Sequence, residues 1–172
     1  MITIQNFNND TRCFYLIKKR KIAILTFFCI FLMSFSPKNE KIYVKLGKTT
    51  TEAFVTPKHL KKIDNSKYYH WYKSRTINRT KGGYSGQLLD GKYEVFNRKK
   101  LIEKGHFKNG LKHKIWRKWF ENGNIKSISE WKNGLKNGTT YSYDETGKII
   151  SEIKYKKGIE IIKPIKVKND SI

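Results

Sequence analysis

Cysteine is scarce in this chain, and that scarcity rules out a good deal. The only two, Cys13 and Cys29, lie near the N-terminus, so no disulfide or thiolate-bound metal can support anything that follows. The four histidines (His59, His70, His106 and His113) are scattered and show no zinc-ligand spacing. No nucleophile motif, phosphate loop or carboxylate cluster is present, which argues against an enzyme and against a bound cofactor or metal. Gly82, Gly83 and Gly86 are close together, but no helical pattern follows them, so they read as a turn rather than a phosphate cradle. Acidic residues are also few: 14 Asp and Glu against 37 Lys and Arg, a formal charge of +23. That imbalance suits an acidic partner: a protein, an anionic envelope or lipid surface, or nucleic acid.

Long apolar runs are missing as well, with one exception. Residues 22–35 form an apolar run of 14 behind the basic cluster Lys18-Lys19-Arg20-Lys21. The run is short for a membrane-spanning helix, which needs roughly 20 apolar residues. Its layout is that of a secretory signal, with small residues at Ser34 and Ser36 for cleavage. Pro37 would disfavour that cut, which leaves an uncleaved signal anchor as the second reading. Residues 1–36 are therefore expected to be a signal peptide or anchor helix, and the protein to be exported or membrane-held. Loss of this segment takes five basic residues and one acid, lowering the charge from +23 to +19. Phe27 and Phe28 before Cys29 do not suit lipidation, which wants small residues there.

The second half of the chain is repetitive. Phe107-Lys108-Asn109-Gly110 returns as Trp131-Lys132-Asn133-Gly134 and as Tyr155-Lys156-Lys157-Gly158, 24 residues apart each time. Glu121-Asn122-Gly123 answers to Glu145-Thr146-Gly147 at the same interval. A fixed period of this length marks the stacking of one supersecondary unit. Within a unit, Leu101, Gly105 and Phe107 alternate with charged residues such as Lys104. Ile125, Ser129 and Trp131 do the same, as do Ile149, Ile153 and Tyr155. Period-two alternation around a glycine turn describes a β-hairpin. The expected fold is an all-β antiparallel meander of hairpin repeats over 68–160, with units at 68–90, 91–113, 114–137 and 138–160. Residues 37–67 are expected as a linker with short strands at 42–46 and 52–55. Residues 161–172 are expected as an edge strand and tail.

The glycine, the aromatic pair, the Asn-Gly turn, the aliphatic strand and the aromatic-Lys-Asn-Gly ending resemble MORN repeats. The longer hairpin form is similar to the MORN-variant repeat of YwqK-type toxin–antitoxin antitoxins. The resemblance covers about residues 68–160; 114–134 and 138–158 carry it best. Lys114 departs from it by standing where glycine is expected, and the first unit lacks a turn glycine. The resemblance implies a stacked sheet used as an interaction surface, and for the antitoxins a toxin partner.

Gly110, Gly134, Gly158, Gly123, Gly147, Phe107, Trp131 and Tyr155 are expected to be structural repeat positions. The candidate binding surface is Trp116 and Trp119 with Arg117 and Lys118, joined by Lys112, Lys114, Lys132 and Lys136. The functional expectation is a non-enzymatic binding module for a protein partner or anionic envelope component. An antitoxin acting by direct contact and a nucleic-acid binder are the alternatives.

Overall fold

The structure, a computed structural model, describes residues 39–162. The signal or anchor segment 1–36 and the tail beyond residue 162 lie outside the described residues. Eleven strands form one antiparallel sheet, with no helix among the described residues. The strands are β1 (Glu40–Leu46), β2 (Thr49–Thr56), β3 (Tyr68–Lys73), β4 (Thr76–Lys81), β5 (Gln87–Asn97), β6 (Lys100–Lys108), β7 (Leu111–Trp119), β8 (Ile125–Lys132), β9 (Leu135–Tyr143), β10 (Ile149–Lys156) and β11 (Ile159–Glu160). From β5 to β11 each strand pairs with the next, so this half is a simple meander.

Of the segment expected as a linker, residues 40–56 form the β1–β2 hairpin, and β2 pairs along β5 from Thr49↔Asn97 to Thr56↔Leu88. Its alternation of Ile42 and Val44 with Lys41, Tyr43 and Lys45 is too short to tell a linker from a strand. Burial of Ile42, Ala53 and Val55 against β5 and β6 settles it. The β3–β4 hairpin branches off at the start of β5 through Trp71↔Leu88 and Tyr72↔Gln87. Its missing turn glycine is replaced by Ser74 and Arg75, both in the left-handed region at φ 52° and 62°. The short strand β11, Ile159–Glu160, pairs with Tyr155 and Lys156; the edge strand expected within 161–172 falls almost wholly outside the described residues.

Opposed residues of an antiparallel pair lie on the same side of a sheet. Following Ile42↔Ala53↔Tyr93↔Gly105 therefore traces one inner face. The core lies there: Ile42, Ala53, Val55, Leu89, Phe107 and Trp116, with Tyr72 and Ile77 of the β3–β4 hairpin packed against it. Phe107 is the hub. Its ring meets Tyr93 and Trp116 edge-on at 5.2 and 4.9 Å between centroids, and His70 at 4.7 Å.

The first strand of each of the last three units bulges at one repeated place. Between β2 and β5 the register shifts near Gly91, between β6 and β7 near Lys114, and between β8 and β9 near Gly138. Gly91 and Gly138 adopt φ 129° and 122°, and Lys114 adopts φ 60°. Such bulges bend the strand and increase its twist. The position thus demands positive φ, and in the middle unit a lysine meets that demand.

Candidate functional site

The bulges set which side chains recur on the inner face. Two residues before each lie Leu89, Lys112 and Lys136; two residues after lie Tyr93, Trp116 and Thr140. Opposite Gly91, Lys114 and Gly138 the partner strands supply Phe107, Trp131 and Tyr155. A side chain at the first of these positions reaches the aromatic of the third. Leu89 is fully buried in the Phe107 core. Lys112 holds its ammonium 3.8 Å from the Trp116 ring centroid and 5.3 Å from that of Trp131. Lys136 places its own 4.5 Å from Tyr155. Cation–π contacts of this kind are worth about 0.5–2 kcal/mol, more as water is excluded.

Along the meander the inner face thus passes from apolar core to lysine-capped aromatics. The remaining inner positions of β8–β10 are Ser127, Ser129, Ser142, Ser151, Thr140 and Ile153, in the register Ser127↔Ser142↔Ser151 and Ser129↔Thr140↔Ile153. Trp131 Nε1 donates to Ser129 Oγ at 3.0 Å. No acid stands on the inner face of β7–β10; Glu130 and Glu152 lie on the outer face, Glu130 paired with Ile115 and Glu152 with Tyr141. Glu103 of β6 is the acid bordering the inner patch, 3.6 Å from Lys112 and 3.7 Å from Lys118. Burial pulls the Lys112 ammonium below the usual lysine range and Lys118 and Arg79 add to this, while Glu103 opposes it. His70, beside the same patch, is lowered to about 4, chiefly by burial and further by Lys112 and Arg79. Its ring is therefore neutral at pH 7 and its Nδ1–H is placed to donate to the Gly110 carbonyl at 3.3 Å.

The expected binding patch around Trp116 is divided by the sheet. Trp116 itself is 3% exposed and belongs to the core, because Gly105 opposite it leaves room for the indole to lie flat; a Cβ at Gly105 would overlap that ring. Lys112, Lys118 and Lys136 share its inner face. Arg117, opposite Lys104 and Ile128, is on the outer face, and Lys132 alternates to that side too. Lys114 is exposed in the bulge, and Trp119 lies half-buried at the rim beside the β7–β8 turn. Sequence alternation placed Trp131 and Tyr155 with the scaffold; Trp131 does pack against the edge of the core, but both are only partly buried and, among the described residues, they form the more open part of the inner face. Their shared parity with Ser127, Ser129 and Ser151 was the available signal, since serine is a poor core residue.

The turn edge is also built in register. Asn97 donates to Glu121 Oε1, and Lys100 to the Glu121 carbonyl; one repeat later Asn122 and Asn124 both donate to the Glu145 carbonyl. These ties link neighbouring hairpins, so Glu121 and Glu145 have a structural role.

A sheet extended hairpin by hairpin, each unit contacting only its neighbours, belongs to the class of repeat-based binding modules. Residues 112–133 and 136–157 match the MORN repeat variant family. Those stretches are the β7–β8 and β9–β10 hairpins. The β5–β6 hairpin has the same pairing but closes through Arg98 and Lys99, at φ 47° and 69°, instead of a glycine turn. No curated protein and no solved structure gives a significant match to the chain.

Proposed function

We propose that this protein is a non-enzymatic binding module, exported or held at a membrane by residues 22–35, that takes an anionic envelope polymer on the inner face of β7–β10. The observation that carries the reading is the pair of lysine-capped aromatics, Lys112 with Trp131 and Lys136 with Tyr155, on a face without a single acid. The partly buried aromatics offer flat apolar contact, the serine rows offer hydroxyl hydrogen bonds, and the lysines supply charge. The outer face mixes both signs, as in the Glu94 pairs with Lys92 and Lys104, and so lacks that bias.

Titration of the full-length protein with polyphosphate and with a sulfated polysaccharide tests the site. Binding should weaken with salt, and the K136Q/Y155A variant should weaken it roughly tenfold, the loss of about one charge-assisted contact. Equal weakening by the outer-face variant K132Q/K154Q would show general charge attraction and refute the assignment. Fractionation with mass determination tests the location: soluble cytoplasmic protein of full length would overturn export and anchoring.

A further inference from the structure

Away from the two hairpins that match the repeat family, the loop that follows β2 borders an open cavity of about 740 Å³ with the end of β3 and the entry to β5. This is within the range of small-molecule sites. The walls are held by specific contacts. The Leu60 N–H donates to Tyr84 Oη at 2.8 Å, drawing the loop across, and the His59 ring stacks on Tyr84 at 6.5 Å and 16°. Gly86 is required for packing, since a Cβ there would strike the Tyr72 carbonyl and the Trp71 ring. Gly86 therefore serves the fold, and the chemistry of the cavity comes from its side chains.

Those side chains are unevenly matched. Leu60, Tyr72 and Tyr84 give apolar and aromatic walls, while Lys58 and Lys73 supply positive charge; no Asp or Glu lines the space. Neither lysine forms an ion pair among the described residues, although six such pairs occur elsewhere on the sheet and its loops. The other two sizeable cavities both include acids: Glu103, Glu121 and Glu145 in one, Asp64 in the other.

We propose that this cavity binds a small planar anion, an aromatic ring bearing one carboxylate or phosphate group. The ring packs against Tyr84, Tyr72 and Leu60, and the anionic group meets Lys58 and Lys73. This site is separate from the inner face of the repeats and does not depend on the polymer-binding reading.

The test is titration of the full-length protein with benzoate, phenyl phosphate, benzamide and inorganic phosphate, followed by amide chemical shifts and calorimetry. Benzoate or phenyl phosphate should bind and shift the amides of residues 58–60 and 84–87. Benzamide, of the same shape without charge, should bind at least about tenfold more weakly, as should inorganic phosphate, which lacks the ring. The K58Q/K73Q variant alters two exposed side chains and should keep the wild-type unfolding midpoint. It should reduce benzoate affinity roughly tenfold while leaving that of benzamide unchanged. A response to benzoate alone assigns the site to carboxylates, and to phenyl phosphate alone to phosphates. Absence of binding by both, equal binding of benzamide, or unchanged affinity in K58Q/K73Q would overturn the proposal.

Discussion

Replacing Lys114 by glycine should stabilise the protein, although it removes a side chain from the middle of a strand. Lys114 is held at φ 60°, between Gly91 at 129° and Gly138 at 122° in the neighbouring units. An L-residue in the left-handed region costs about 1–2 kcal/mol. Glycine relieves that cost but enlarges the unfolded ensemble, returning about 0.5–1 kcal/mol. The side chain is exposed and its charge lowers the neighbouring His106 and His113, so little favourable contact is lost. A net gain of about 0.5–1 kcal/mol follows. The reciprocal change, Gly138→Ala, should cost about 1–3 kcal/mol. Its φ is one that side chains rarely adopt, and its Cβ would meet the Glu130 carboxylate. Urea unfolding of the full-length variants measures both, with an unchanged slope showing that the midpoint reports stability. A lower midpoint for K114G at constant slope would refute the bulge as the source of the strain.

Two further outcomes follow from the inner face. Phe107 and Tyr155 occupy one repeated position, but Phe107→Ala should cost about 3–5 kcal/mol, as for a filled core site, and Tyr155→Ala only about 1–2 kcal/mol; equal costs in urea unfolding would refute the core-to-surface gradient. His70 is neutral in the folded protein down to pH about 4, while the unfolded chain takes up its proton near 6.5. Each proton bound in that window therefore favours unfolding: stability should fall as pH drops from 6.5 to 4, by at most about 3 kcal/mol, and level off below. His106 and His113, also lowered, add in the same direction. The His70→Phe variant should retain only their smaller slope; an unchanged slope would remove His70 as the cause.

Much of the fold can be read in the sequence because hairpin repeats are local. The 24-residue interval, the period-two alternation and the glycine turns at Asn122-Gly123 and Thr146-Gly147 define the β7–β8 and β9–β10 units from residues close together in the chain. Departures from the pattern were legible too: Lys114 in a glycine position is the bulge that the structure strains. The residues that were harder to read are those whose setting depends on distant segments. Trp116 and Trp119 are three apart beside the same basic residues, yet Gly105 on the next strand admits one to the core and leaves the other at the rim.

The sequence by itself determined the repeat, its hairpin character and the parity of each strand, since these follow from backbone periodicity and turn chemistry. Only the tertiary structure decided which parts of the inner face are core. The β1–β2 and β3–β4 hairpins supply the apolar partners of Leu89 and Phe107; among the described residues Trp131 packs only at the edge of that cluster and Tyr155 lies outside it. Burial depends on what another segment brings to a surface, and a repeated residue looks the same in sequence whether or not that segment arrives.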